Sequence, residues 1–244
     1  MRKVLLLCGM LFLLLISGTV NASMTTIGTA TYGVANYNLI WDDNNNGNSV
    51  IWLDYTNDGD TWSNQVDWAS GLDGALTYSI DPAYTVDWGT SSWRLPTTVD
   101  GPYVWGYDGT TTAGYTITTS EMGHLYYEEL GNLGYYDTSG VTQSGYGLIN
   151  TGDFYNLVVP VPNSNPSLWY WSGTEFAGMA GAAWGFTMDA VDGTYDGSQG
   201  PTFQTVDYGY GLAVRSGEVT VVPEPATLCL LGLGGLLIRR RKKA

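Results

Sequence analysis

Alternating oxygen-bearing side chains between residues 42 and 60 could bind a calcium ion. The segment begins like a calcium-binding loop, in which every second side chain offers an oxygen and a glycine, here Gly47, permits the sharp turn. The twelfth position of such a loop is Leu53 instead of Glu. The same residue types favour ordinary surface turns, so the sequence leaves both interpretations open. The candidate ligands are Asp42, Asn44, Asn46, Asp58 and Asp60.

Arg94 and Arg215 are the only basic residues between the two ends of the chain. Their guanidinium groups could clamp a carboxylate or a sulfate through paired hydrogen bonds. Both lie beside apolar residues in strand-like runs, where burial of a charge requires an internal partner. We therefore favour a structural role for both arginines, and we expect Glu175 to be the partner of one of them.

Signals for catalysis are weak. His124 is the single histidine, and neither a serine-nucleophile motif nor a second histidine at metal-ligand spacing accompanies it, so ordinary helix packing is favoured. Cys8 and Cys229 lie near the two ends, which leaves the middle of the chain without disulfides, thiolate ligands or a cysteine nucleophile. The many carboxylates could hide a glycosidase pair, but none stands out. The sequence therefore predicts no enzyme, no catalytic residue and no resident cofactor.

Aromatic residues are the most suggestive feature, with 10 Trp, 18 Tyr and 5 Phe. Rings stack on the faces of sugars, and neighbouring Asp and Asn side chains can bind the hydroxyl groups. We expect Trp52, Trp93, Trp171 and Trp184 to pack in the core. For the aromatic residues in turns, such as Tyr136, the sequence supports sugar binding and ordinary packing about equally. The candidate ligand-binding residues are Tyr103, Trp105 and Tyr107.

The charge balance excludes one class of partner. The chain has 23 acidic and 9 basic residues, a formal net charge of −14, and most of the basic residues lie at its ends. Such a surface repels phosphate backbones, so nucleic acid is not expected as a partner.

The N-terminus has the pattern of a secretory signal peptide. Arg2 and Lys3 precede an apolar run from Val4 to Ile16 that is short for a membrane span. Small residues at 20 and 22 predict cleavage by signal peptidase before Ser23, which makes residues 1–22 the signal peptide and residues 23–221 the exported body.

The C-terminus, residues 222–244, has three parts: Pro223-Glu224-Pro225, an apolar segment at 226–238 and a basic tail from Arg239 to Lys243. An apolar segment with a positive flank predicts a membrane anchor, and its shortness favours a transient one. This tail resembles the PEP-CTERM sorting signal of Gram-negative bacteria. The resemblance implies transient insertion in the inner membrane, cleavage by an exosortase near Pro-Glu-Pro, and delivery to the cell surface or extracellular matrix, usually alongside exopolysaccharide production.

Two helices and several short strands are expected in the body. Residues 37–41 and 50–53 predict two strands around a turn, and further strands are expected at 168–171, 183–188 and 210–214. Apolar residues at helical spacing predict a helix that begins after Thr61 and ends at Gly71 or Gly74. A second helix is expected between Thr118, paired with Glu121 as a capping box, and Gly131. The pattern predicts one α+β domain.

Five motifs in a fixed order resemble the Lcl C-terminal domain family of exported bacterial modules. They are Trp52-Leu53-Asp54, Trp93-Arg94-Leu95-Pro96-Thr97, Tyr170 to Glu175, Ala183 to Phe186, and Ala213-Val214-Arg215. The resemblance implies a single C-type-lectin-like domain, similar to formylglycine-generating enzymes, with short, mostly antiparallel strands. Residues 98–117 depart from the family pattern as an insertion. The motif residues implied to be structural are Trp93, Arg94, Pro96, Trp171, Glu175, Trp184 and Arg215.

The family resemblance implies adhesion and binding of sulfated polysaccharides, whereas the charge balance favours an uncharged or calcium-bridged glycan. Formylglycine-generating chemistry needs cysteines that the body does not have. The sequence thus predicts a non-catalytic polysaccharide-binding or adhesion module. A purely structural biofilm-matrix protein is the alternative, and a glycoside hydrolase is a third and weaker one.

Overall fold

The computed structural model describes residues 24–157, 167–190, 193–205 and 208–223. The signal peptide, Glu224, Pro225, the apolar segment 226–238 and the basic tail lie outside the described residues. The strands are β1 (Met24–Tyr32), β2 (Ala35–Asn45), β3 (Asn48–Asp60), β4 (Thr77–Ile80), β5 (Tyr84–Asp87), β6 (Trp105–Gly106), β7 (Ala113–Gly114), β8 (Ser167–Glu175), β9 (Ala182–Ala190), β10 (Ser198–Phe203), β11 (Gly209–Ser216) and β12 (Glu218–Val221). The helices are α1 (Trp62–Ala75) and α2 (Glu121–His124), which continues into a π-helical turn (Leu125–Glu129).

One large mixed sheet dominates the architecture. Within the described residues its ten strands lie in the order β4-β1-β2-β3-β11-β8-β9-β10-β7-β6, and β12 pairs with β5 in a separate two-stranded sheet. The β11–β8 and β6–β7 pairs are parallel, and the other pairs are antiparallel.

The predicted α+β class with short strands is wrong. The described residues are 45% strand and 12% helical, which is a β-rich fold. The strands that the sequence did not predict lie mainly in polar segments. β1 reads MTTIGTATY and has no apolar run, but it pairs with both β2 and β4. Threonine is β-branched and fits a pleated, half-buried strand, so pairing with two neighbours outweighs the weak apolar pattern.

The first two long strands form a hairpin as predicted, with Leu39 opposite Leu53 and Ile40 opposite Trp52. The turn is tighter than expected, since only Asn46 and Gly47 lie between the paired Asn45 and Asn48. Both turn residues have positive φ, 52° and 83°, which a two-residue hairpin turn of this twist requires and which Asn-Gly tolerates best.

The continuous apolar run in β3 is buried on both faces of the sheet. Val50 and Trp52 belong to the core that includes the apolar face of α2, whereas Ile51 and Leu53 belong to the core that includes Leu72 of α1. Successive strand residues point to opposite faces, so the two helices cover opposite sides of the sheet.

The caps of the helices differ from prediction in detail. α1 begins after Thr61 as expected, although the Thr61 side chain makes no capping bond, and it runs through Gly71 and Gly74 to Ala75. α2 is capped by Ser120, whose hydroxyl accepts from the Gly123 amide, and not by Thr118. The predicted apolar face of the second helix is buried in the core, although the helix begins at a different capping residue.

Candidate functional site

The segment 98–117 carries aromatic side chains at one edge of the large sheet. It contributes the short strands β6 and β7, and β7 pairs with β10 at Gly114 and Gln199. The Gln199 side chain fixes the segment by donating to the carbonyl of Thr112 at 2.9 Å. A second loop, which bridges Leu133 to Gly147, packs beside it.

Seven rings from these two loops form a continuous series of contacts, here called the aromatic cluster. Trp105 lies 6.5 Å from Tyr103 and 5.7 Å from Tyr115, measured between ring centroids. Tyr136 lies 5.2 Å from both Tyr107 and Tyr115. The cluster comprises Tyr103, Trp105, Tyr107, Tyr115, Tyr135, Tyr136 and Tyr146.

Exposure differs along the aromatic cluster. Tyr103 is 56% and Trp105 37% exposed, whereas Tyr115 is 1% exposed and serves as the buried base on which its neighbours pack. Tyr107, Tyr135, Tyr136 and Tyr146 are half-buried. The structure therefore brings the three predicted ligand-binding residues, Tyr103, Trp105 and Tyr107, into one cluster with an open side.

Tyr135 and Tyr146 also belong to the aromatic cluster, although the sequence pattern does not predict them as ligand-binding residues. The Tyr135–Tyr136 rings are 4.7 Å apart and the Tyr135–Tyr146 rings 4.8 Å apart. The available signal was a run of tyrosines in a glycine-rich segment between residues 131 and 147, the same kind of pattern that marked the segment 98–117.

Hydrogen bonds and burial keep the base of the cluster uncharged. The Tyr115 hydroxyl donates to the carbonyl of Thr194. Desolvation by burial raises the pKa of Tyr115 far above its usual value, so the phenol remains a neutral donor. At the rim, hydrogen bonds from Thr110 lower the pKa of the exposed Asp108, and its carboxylate stays ionised. The cluster thus offers neutral rings with a charged acceptor beside them.

Arg94 binds an internal carboxylate, but the partner is Glu121 and not Glu175. Its two terminal nitrogens contact the two oxygens of Glu121 at 2.6 and 2.7 Å. The backbone amide and the hydroxyl of Thr97 also donate to Glu121, at 2.6 and 3.0 Å. Glu175 is exposed at the end of β8. Glu121, at the first position of α2, lies closer to Arg94 than Glu175 does. The pattern of apolar residues in a strand cannot predict this contact, because it depends on where the helix packs.

Arg215 also has internal partners. One terminal nitrogen contacts Asp73 of α1 at 3.0 Å, and the guanidinium carbon lies 4.7 Å from the centre of the Trp88 ring. These contacts combine an ion pair with a cation–π interaction. Both arginines therefore face groups of the same chain and not an open anion-binding surface.

The motif tryptophans lie in the interior. Trp93, Trp171 and Trp184 are each at most 1% exposed, and each indole donates a hydrogen bond. The acceptors are the Tyr78 hydroxyl, the Asp60 carbonyl and the Asp100 carboxylate, at 2.7, 3.0 and 2.8 Å. Pro96 joins the same framework, because its carbonyl accepts from the Gly173 amide at 2.8 Å.

The structure does not bring the five candidate calcium ligands together. Asp42 is fully buried and pairs in the sheet with Val50, whereas Asn44 and Asn46 are exposed at the hairpin end. At about 3.3 Å per residue, the distance along β3 from Val50 to Asp58 is roughly 26 Å. Asp60 instead accepts from the Thr61 amide and the Asn64 side chain at the start of α1. Three of the predicted ligands thus lie beside the start of β3, and the other two, Asp58 and Asp60, lie at its far end.

Comparison with known proteins identifies the C-terminus. Residues 221–243 match the family model of the PEP-CTERM protein-sorting motif. The chain carries a PEP-CTERM sorting signal. The prediction of an exosortase-targeted, exported protein that is transiently anchored through its C-terminal region is therefore confirmed. No curated protein and no solved structure matches the chain, and no homologue supports the resemblance of the body to the Lcl family.

The sorting motif begins where the folded strands end. β12 ends at Val221, the Val222 amide donates to the Ala83 carbonyl at 2.7 Å, and Pro223 is exposed. Within the described ranges, no helix has both the length and the apolar character needed to cross a membrane. The predicted anchor at 226–238 lies outside those ranges. Cleavage near Pro223 would leave every described strand intact.

We expect the mature protein to begin near Ser23 and to end near Pro223. β1 starts at Met24 and β12 ends at Val221, so cleavage at both sites removes no described strand. Intact-mass spectrometry of the protein recovered from the surface or medium of an exosortase-positive host measures both ends. A mass that still includes the tail from Arg239 to Lys243 would contradict processing at the sorting motif.

Proposed function

We propose that this exported protein is a non-catalytic polysaccharide-binding module of the cell surface or extracellular matrix, and that it binds through the aromatic cluster. The observation that carries the proposal is the contact series of seven rings with an open side at Tyr103 and Trp105. Flat, partly exposed rings supported from below by a buried ring are suited to stacking on sugar faces, because little side-chain freedom is lost on binding.

Polar groups at the rim of the cluster support binding of hydroxyl-rich ligands. The ionised Asp108 can accept hydrogen bonds from sugar hydroxyls, and Thr110 lies against it at 2.7 Å. On the second loop, the Asp137 carboxylate accepts from the amides of Ser139 and Val141, which holds the loop that presents Tyr136. Rings that stack and oxygens that accept are the combination that carbohydrate sites use.

Charge favours a neutral glycan over a sulfated one. Arg94 and Arg215, the basic residues of the body, are engaged by Glu121 and Asp73. An acidic surface repels a densely sulfated chain, whereas ring stacking does not depend on net charge. We therefore propose an uncharged polysaccharide, such as a neutral glucan, as the ligand class.

Removal of the indole of Trp105 tests this function. We expect Trp105→Ala to weaken binding to neutral glycans about tenfold, since a lost stacking contact costs roughly 0.5–1.5 kcal/mol beyond the lost burial. Tyr103→Ala should act in the same direction. Tyr155→Ala is the matched control, because Tyr155 is 82% exposed and its amide binds Asp54 of β3, away from the sheet edge that carries the cluster. Glycan-array screening followed by calorimetry measures the effect, with thermal melts to confirm folding.

Each other outcome favours a different function. Absence of binding to any glycan would leave the structural biofilm-matrix protein as the better description. Release of reducing ends from a polysaccharide would indicate a glycoside hydrolase. Preferential, calcium-independent binding to heparin-like chains would overturn the charge argument. Equal binding by the Trp105→Ala and Tyr155→Ala variants would move the site away from the aromatic cluster.

A further inference from the structure

A second group of chemically competent side chains lies between the β2–β3 hairpin and the second helix. One ligand atom from each of Asp42, His124 and Glu129 lies within 4.8 Å of the others. Asp42 is fully buried, and the side chains of His124 and Glu129 are 13% and 2% exposed. Two carboxylates and an imidazole are thus held together in the interior, on the side of the sheet opposite to α1.

The π-helical turn brings two of these residues to the same side of the helix. In an α-helix, residues 124 and 129 would be separated by about 140° around the axis. The wider turn, marked by the hydrogen bond from the Leu130 amide to the Leu125 carbonyl at 2.9 Å, reduces that separation. Nε2 of His124 and Oε1 of Glu129 are 3.3 Å apart as a result. π-Helical turns interrupt helices most often at functional sites.

Two ligand atoms of this group are paired with each other and form no other hydrogen bond in the described part of the chain. Nε2 of His124 and Oε1 of Glu129 are buried and lie 3.3 Å apart, an ion pair when the imidazole is protonated. With a neutral imidazole this attraction is lost, and a buried carboxylate oxygen without a donor is costly. A cation between these atoms would satisfy both at once.

Asp42 is held in a fixed orientation toward the same space. One of its oxygens accepts from the Asn45 amide group at 2.8 Å and from the Trp52 indole at 3.3 Å, and the other accepts from the Asn44 backbone at 3.3 Å. The oxygen that accepts from Asn44 has a second lone pair available for an ion. Such supporting hydrogen bonds are the outer contacts that orient metal-binding carboxylates.

We propose that Asp42, His124 and Glu129 form a site for a divalent transition-metal ion of the Zn²⁺ type. One nitrogen and two oxygen ligands suit zinc or manganese better than calcium, which prefers oxygen alone. Ligands about 2.0–2.2 Å from a tetrahedral ion are separated from one another by roughly 3.4 Å. The His124–Glu129 separation of 3.3 Å already has that value. The ion would link β2 to the second helix in a body whose sequence contains no cysteine for disulfides.

Zinc titration of the processed protein after treatment with chelator tests the site. At a free Zn²⁺ concentration about a hundredfold above Kd, we expect the melting temperature to rise by roughly 5–10 °C. Equilibrium dialysis with elemental analysis should find one tightly bound ion per chain. Glu129→Gln and His124→Gln should abolish both effects. Glu128→Gln is the matched control, since Glu128 is the exposed neighbour with the same charge and should keep the zinc response.

The measurements on the unmodified protein decide the proposal even if a variant fails to fold. No melting shift together with no tightly bound zinc would overturn it. Retention of the full zinc response by Glu129→Gln would also overturn it, because the ion would then bind surface carboxylates. A larger stabilisation by Ca²⁺ than by Zn²⁺ would contradict the inferred nitrogen ligand.

Discussion

Replacement of Arg94 by alanine is expected to lower the free energy of unfolding by about 2–3 kcal/mol. The guanidinium binds both oxygens of Glu121, a side chain that is only 10% exposed, and its removal leaves the carboxylate with the Thr97 donors alone. Loss of one partner from a fully buried pair costs roughly 3–5 kcal/mol. The Arg94 side chain is 35% exposed, so solvent screens part of this effect and the lower range applies.

Urea denaturation of the mature protein measures this loss, and two variants serve as controls. Arg94→Lys retains the charge but cannot form the paired contact, and we expect an intermediate loss. Arg215→Ala should cost less, because the Asp73 side chain is 34% exposed and makes a single contact at 3.0 Å. A loss below about 0.5 kcal/mol for Arg94→Ala would show that the arginine is available to an external anion.

Local patterns in the sequence predicted the elements that depend on local contacts. A turn between residues 42 and 49, the apolar run from Val50 to Leu53 and the helical spacing in α1 all correspond to structure at those positions, although the turn is shorter than predicted. Each of these features depends on interactions within a few residues or on whether the side chains of the segment are apolar enough to be buried. The predicted platform residues Tyr103, Trp105 and Tyr107 likewise fall within one cluster, because they come from a single short segment.

The pairing of strands that are far apart in the chain could not be predicted from the same local patterns. β11 lies between β3 and β8, so residues far apart in the chain are neighbours in the sheet. The α+β prediction failed for this reason: polar strands such as β1 are stabilised by pairing on both edges and not by their own composition. Glu121 was likewise not expected as the partner of Arg94, since its selection depends on where α2 packs.

The inferred metal site shows a further limit of sequence patterns. Metal-ligand motifs are recognised in a sequence by spacings that an α-helix or a hairpin brings together. Residues 124 and 129 do not have such a spacing, and they meet only because the helix widens into a π-helical turn. The loop pattern predicts Asp42 as a calcium ligand, but its buried carboxylate accepts hydrogen bonds from Asn44 and Asn45 of the loop and lies near ligand atoms of the second helix.

Gly123→Ala is expected to destabilise the protein by about 3 kcal/mol, whereas Gly71→Ala should stabilise it by roughly 0.5–1 kcal/mol. Both glycines lie in helices. A Cβ at Gly123 would be 1.9 Å from the Ile117 carbonyl oxygen, so backbone must move, whereas a Cβ at Gly71 meets nothing within 4 Å. Thermal and urea unfolding of the pair measure the difference. Equal stability of the two variants would contradict the close approach of residue 117 to α2, the contact that fixes the helix carrying His124.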